Sequence, residues 1–191
     1  GRVSVPLLWD EQAGTIVNEE SDEIMRTLAD AFGDRAEVDL YPAARRDDID
    51  ERIDALYGPL NRGVYEAGFA ETQAEYEAAA KRVFDALERW ESVLAEQRYL
   101  LGDRLTLADL RLFATLVRFD AVYYAHFGLN RKRIVDYPNL WTFTRDVYQT
   151  DGVADTVDID QIKRHYFRSH DDLHPSGIVP IGPDLAFDAP H

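Results

Sequence analysis

One stretch limits what this chain can fold into more than any other: residues 100–120, LLGDRLTLADLRLFATLVRFD. Thr106 stands where a helix N-cap belongs. Asp109, three residues on, can accept from the cap's own amide, so the pair answers donors that a helix start otherwise leaves orphaned. Leu105 before the cap and Leu110 at the fourth helical position are placed to clasp as a hydrophobic staple. With Leu107, Phe113, Ala114 and Val117 they give a helix with little polar surface, which belongs at the centre of a helical assembly.

The flanking sequence supplies the neighbours such a helix needs. Pro42 opens a segment with Ile49, Ile53, Leu56, Tyr57 and Leu60 on one face, and Asn61-Arg62-Gly63 is expected to end it. Thr72 and Glu75 form a second capping box for a long helix running to about Gln97. Tyr76, Ala79, Ala80, Val83, Phe84, Leu87, Trp90 and Leu94 form its apolar stripe. Downstream of the central helix the aromatic cluster Phe119, Tyr123, Tyr124, His126 and Phe127 reads as core, because large rings dominate buried area. Pro138 begins a helix with Leu140, Trp141, Phe143, Val147 and Tyr148 inward, and residues 157–167 give a last short one. Residues 168–191 hold four prolines and two glycines, and are expected to form an extended tail laid across the body.

The first 40 residues follow a different pattern. Residues 3–9, VSVPLLW, read as a short strand in which Pro6 cannot donate to a ladder. Gln12-Ala13-Gly14 makes a turn and Thr15-Ile16-Val17 a second strand, so residues 3–17 form a β-hairpin. A helix with Ile24, Met25, Leu28, Ala31 and Phe32 at helical spacing follows, capped by Ser21 or Asn18. The change to continuous helical periodicity puts a boundary within residues 34–42. Two strands alone are marginal, and the chain opens on Gly1 rather than Met, so the natural N-terminus is expected to lie upstream.

Composition narrows the function. With 46% hydrophobic residues the chain can bury a proper core, and with Lys+Arg 21 against Asp+Glu 36 it carries −15, which argues against nucleic acid and anionic membrane as partners. Lys81, Lys132 and Lys163 are its lysines, and a low-lysine, acidic surface suits a salt-rich cytoplasm. No apolar run approaches the roughly 18 residues of a membrane span, and no secretory leader is present, so a cytoplasmic location is expected. With no cysteine, disulfides, thiolate metal sites and a cysteine nucleophile within these residues are excluded. There is no Gly-rich phosphate loop and no GxSxG elbow. His165, His170 and His174 fall close together, but their spacing matches no closed zinc pattern, and no metal is expected.

One place does invite a ligand. Amides at a helix start attract a carboxylate, while Glu20 could take an ammonium group. Glu20-Ser21 therefore suits both ends of an amino acid, although a plain cap among solvated acids would look the same.

The strand through Val5-Pro6, the hairpin, the Glu20-Ser21 pair at a helix start and the Thr106-Leu107-Ala108-Asp109 box, in this order, resemble a glutathione transferase. VPLLWD, TIVNEES, NRGVYEAGFA, DYPNL, GVADTV, IKRHYFRSH and PSGIVPIGP resemble in particular the Xi class, the glutathionyl-hydroquinone reductases. The resemblance implies an α+β chain: a partial thioredoxin-like domain (hairpin plus helix, 1–38), an all-helical transferase C-terminal domain (39–167) and the extended tail (168–191). It implies that Pro6 is a cis-proline, that the Val5 backbone pairs with the cysteinyl part of glutathione, and that Glu20 and Ser21 hold its γ-glutamyl end. Tyr57 and Tyr166 match the positions from which the family offers phenols to a quinol substrate, although Tyr57 could equally be core and Tyr166 a tail anchor.

The implied activity is reduction of glutathionyl-hydroquinones through a cysteine-glutathione mixed disulfide, with the cysteine upstream of these residues. These residues alone are then expected to be inactive. The implied partners are a small quinol thioether and a second copy of the chain in a homodimer. If the source is halophilic, γ-glutamylcysteine would replace glutathione. The alternative is a non-enzymatic helical interaction module of the transferase type, in which the capping box would serve equally well.

Overall fold

The computed structural model describes residues 5–33 and 38–190. Strands β1 (Leu8–Asp10) and β2 (Thr15–Asn18) pair antiparallel, with an irregularity between Leu8 and Trp9. The Asp10 carboxylate accepts from the Gln12 and Ala13 amides, and Gly14 supplies the positive φ (63°) that closes the turn. The strand expected over residues 3–9 is thus shorter and later. Pro6 has no N–H for the ladder, pairing starts beyond it, and residues 1–4 lie outside the described ones.

Helix α1 (Ser21–Phe32) follows at once. Its N-cap is Glu20, with no side-chain cap, so the expected capping by Ser21 or Asn18 does not occur. Ser21 is already helical, and the Asn18 carboxamide oxygen instead accepts from the Glu20 amide at 2.8 Å. None of α1 is fully buried, and Val5, Leu7, Trp9, Ile16, Val17, Leu28 and Phe32 are exposed. Arg26 to Asp50 (2.9 Å), Arg46 to Asp30 and Arg111 to Asp22 (3.1 Å) tie α1 to the helical body.

That body is built around α5 (Leu107–Arg118), which packs against α2 (Arg46–Leu56) and α7 (Pro138–Tyr148), while α4 (Gln73–Glu96) packs against α3 (Gly63–Gly68) and α7. The largest fully buried side chains, among them Trp90, Phe119, Tyr137 and Phe167, come from several of these segments and merge into one core. The Thr72–Glu75 box forms as expected. At α5 the Asp109 carboxylate, fully buried, accepts from the Thr106 amide, the Thr106 hydroxyl and the Leu100 amide, each at 2.8 Å. It therefore anchors the Tyr99–Gly102 turn as well as the helix start.

The helix expected to stop at Asn61-Arg62-Gly63 does not. After α2 the backbone widens into a π-helical segment, Tyr57–Arg62, and continues directly as α3. Gly63 lets α3 pack close to α4, because a Cβ there would stand 3.1 Å from a Val83 methyl. A second π segment, Phe119–Tyr123, follows α5 and leads into the short α6 (Tyr124–His126). Helix α8 (Ile159–Ser169) is capped by Asp158, whose carboxylate accepts from the Gln161 amide at 2.9 Å. Beyond it the chain turns over 170–177 and then runs extended to about residue 186. Phe187 buries against Trp141 and Tyr148, and Gln149 donates to the Phe187 and Ala189 carbonyls, which holds the tail on the body.

Candidate functional site

The two π segments frame a cleft of about 890 Å³. A π turn shifts the register of side chains relative to an α-helix, so residues on either side of it point differently from what a 3.6-residue period implies. Tyr57 is accordingly turned out of the core stripe and is 45% exposed, while Leu56 and Leu60 are fully buried. Tyr57, Asn61 and Tyr65, at four-residue spacing, form one wall of the cleft; Arg111, Thr115 and Arg118 on α5 form the next. Asp158, Gln161, His165 and Tyr166 around α8 form a third, and Pro6 and Ser21 close it from the hairpin side.

The walls are stitched together. Asn61 donates from its amide to the Arg111 carbonyl (3.1 Å) and the Thr115 hydroxyl (2.7 Å), which fixes the first π segment to α5. Arg111 lies over the Tyr57 ring (5.5 Å to the centroid) while its guanidinium pairs with Asp22, which sets the start of α1 at the rim.

At the floor three phenols meet. The Tyr65 and Tyr166 hydroxyls are 2.5 Å apart, and those of Tyr123 and Tyr166 3.1 Å. Burial, reinforced by the neighbouring phenols, raises Tyr123 well above the usual phenol range, and burial likewise raises Tyr166. Tyr123 and Tyr166 are therefore hydrogen-bond donors at neutral pH, not bases. Three O–H groups joined by two mutual bonds leave one proton to offer outward.

Of the residues expected to form the site, Pro6, Ser21, Tyr57 and Tyr166 all line this cleft. The Val5-Pro6 peptide is cis, and Val5 is 86% exposed. Glu20 stands at the N-cap of α1, exposed and outside the cleft lining. Tyr57 and Tyr166 share the cleft, but the phenol bonded to Tyr166 from the same helical run is Tyr65. Sequence reasoning missed Tyr65, Arg111 and Arg118, and assigned Tyr123 to the core alone. The four-residue spacing Tyr57-Asn61-Tyr65 and the single polar flank Arg111-Thr115-Arg118 of an apolar helix were the available signals.

The histidines divide between two places. His165 faces the cleft, whereas His170 and His174 stack on the buried His126 with ring centroids 5.1 and 5.0 Å away, and His126 Nε2 lies 2.9 Å from His170 Nδ1. Among the described residues no group of three or more His, Asp or Glu side chains is arranged to hold a metal.

Comparison with known proteins was made against this geometry. Residues 73–146 match the family model described as the C-terminal domain of glutathione S-transferase. The chain is 50% identical over 194 aligned residues to the glutathionyl-hydroquinone reductase YqjG of Escherichia coli (strain K12), covering all of this chain and 59% of that protein. Its glutathione-bound structure superposes with a TM-score of 0.95 at 49% identity, over all of this chain and 63% of the other. A Xi-class transferase from Natrialba magadii superposes with a TM-score of 0.96 at 52% identity, over all of this chain and 59% of the other. Glutathione transferase Xi 1 from Trametes versicolor does so at 0.92 and 43% identity, over all of this chain and 67% of the other. The chain thus spans about three fifths of the curated relatives' length.

Proposed function

This chain belongs to the Xi-class glutathione transferases, and on that premise we propose that it forms the substrate-binding part of a glutathionyl-hydroquinone reductase. What supports this most is the juxtaposition in one cleft of a helix start, with Ser21 at its rim, and three clustered phenols. Residues 1–38 serve the thiol and residues 39–167 the quinol, with the tail 168–191 as a strap. In this reading the γ-glutamyl end of glutathione lies at Glu20 and Ser21, its cysteinyl backbone pairs with Val5 beside Pro6, and a quinol ring oxygen takes the one hydrogen bond that Tyr166 and the phenols joined to it have to offer, with Tyr57 at the entrance. Grip confined to the γ-glutamyl end fits γ-glutamylcysteine equally, a point calorimetry with the two thiols decides. A cytoplasmic homodimer is part of the same proposal.

The attacking thiolate comes from outside these 191 residues, which hold no cysteine. It forms an S–S bond with the sulfur of the conjugate, the sulfur–ring carbon bond breaks, and its electron pair passes into the ring, which leaves as hydroquinone after taking up a proton. A second glutathione thiolate then exchanges with the mixed disulfide, giving glutathione disulfide and restoring the enzyme thiolate.

The test uses the full-length gene product with glutathionyl-menadiol and glutathione. Menadiol release, with a mixed disulfide visible by intact mass, is expected. Tyr166→Phe should lower kcat on the order of 10²-fold, the usual cost of losing a donor to a charge-bearing oxygen. A folded wild-type protein that neither releases menadiol nor binds the thiol would overturn the proposal and favour the interaction module.

A further inference from the structure

Resting on the thiol-exchange reading above, we propose that Arg118 is a catalytic residue of that reaction, its guanidinium stabilising the phenolate that departs as the hydroquinone is released. Three arginines line the cleft, and two are already engaged. Arg111 pairs with Asp22 and covers the Tyr57 ring, and Arg62 pairs with Glu66 at 2.9 Å. Arg118 is different. Among the described residues its guanidinium donates to the Ala114 carbonyl and forms no ion pair, although the chain as a whole carries an excess of carboxylates. It is half-buried and stands one helical turn beyond Ala114 and Thr115 on the cleft face of α5. A cation half withdrawn from water without a carboxylate is costly unless an anion comes to it.

The phenol floor cannot supply that anion, nor neutralise one. Burial holds Tyr123 and Tyr166 in their neutral form, and the cluster they make with Tyr65 has one O–H to give. The positive charge of Arg118 is felt at Tyr166, where it favours negative charge on a phenolic oxygen. A ring oxygen bonded to this cluster would lie within the same field.

The reaction delivers charge to that place. When sulfur–carbon cleavage starts from the keto tautomer of the conjugated ring, the bond pair moves into the ring and emerges on its oxygen. One negative charge thus travels from the attacking thiolate to a phenolate, which water later protonates. The phenol cluster contributes a hydrogen bond to this oxygen, and Arg118 contributes the charge. A fixed cation aimed at a developing oxyanion in a partly dehydrated cleft acts on the transition state more than on the neutral substrate.

The test compares wild type, Arg118→Gln and Arg118→Lys in the full-length gene product. The substrates are glutathionyl conjugates of hydroquinones of graded acidity, from trimethylated to fluorinated. Arg118→Gln should lower kcat on the order of 10²-fold for the least acidic leaving group and progressively less as acidity rises, with Arg118→Lys between the two. As a readout independent of turnover, the absorbance of a bound nitrophenol reports its ionisation. Arg118→Gln should move that ionisation upward by about one pH unit or more. A loss equal for every leaving group, a loss confined to KM, or an unchanged ionisation would overturn the role of Arg118 while leaving thiol exchange intact. A wild-type protein inactive on every conjugate would instead overturn thiol exchange, with the nitrophenol titration still reporting on Arg118.

Discussion

His126 has a charge problem that its surroundings do not solve. It is 6% exposed, its Nδ1 is buried without a partner, and its neighbours are two further imidazoles together with Phe127, Tyr166 and Phe167. Burial, followed by the charges of His170 and His174, lowers it from 6.5 to about 4. His170 is lowered too, by burial and then by His165. A histidine whose folded value lies below its unfolded one binds its proton more readily once unfolded. Its contribution to stability is therefore present above pH 6.5 and is lost as pH falls toward 4. The slope from this group is up to about 1.4 kcal/mol per pH unit. Melting followed by calorimetry between pH 7.5 and 4.5 should show a shallower acid-side decline for His126→Phe than for wild type. Parallel profiles would show that another group governs the decline.

At the level of elements, the anchor of α5 is stronger than a cap. Asp109 takes three hydrogen bonds in a fully buried position, and one of them comes from Leu100, in the turn that precedes the helix. Burial outweighs these bonds and raises its carboxyl above the usual value, so the site is costly to build and costlier to leave empty. Asp109→Ala would strand the Leu100 and Thr106 amides without partners. Each unsatisfied buried group costs roughly 1–3 kcal/mol, so the variant should lose about 3 kcal/mol by urea denaturation. A loss near 1 kcal/mol, the size of an ordinary cap, would mean that water reaches the vacated site. The other elements follow the same logic of local chemistry meeting a neighbour. Gly68 ends α3 where a Cβ would stand 2.1 Å from the Phe127 ring, so the small residue permits the contact between α3 and the segment after α6.

Across the whole molecule, electrostatics works against compactness. A net charge of −15 on 191 residues repels itself, and the ion pairs present are mostly at the surface, where each contributes little. Raising ionic strength from about 0.05 to 1 M shortens the screening length from above 10 Å to about 3 Å. The melting temperature should therefore rise with potassium chloride, by several degrees, as read by differential scanning fluorimetry. A melting temperature that falls or stays flat would show that attractive pairs such as Arg26–Asp50 outweigh the net repulsion.

What the sequence determined by itself are the features that depend on near neighbours: the two capping boxes, the apolar stripes, the tight turn at Asp10–Gly14, the central place of α5 and the extended tail. Each is decided by residues three or four positions apart, so a reader of the string can find it. The motifs of the family, from Val5-Pro6 to the tail, were legible for the same reason. Tertiary structure alone decided the floor of the cleft, because Tyr65, Tyr123 and Tyr166 are 43 to 101 residues apart and meet only once α3, the second π segment and α8 have packed. It also decided that Tyr57 leaves the core stripe and opens onto the cleft, as Tyr65 does. A helical stripe predicts a face on the assumption of a constant period. The π segment at Tyr57–Arg62 breaks that period, and the widening is visible only in the folded chain. Arg118 likewise looks like an ordinary arginine at a helix end until the fold shows that, among the described residues, no carboxylate pairs with it.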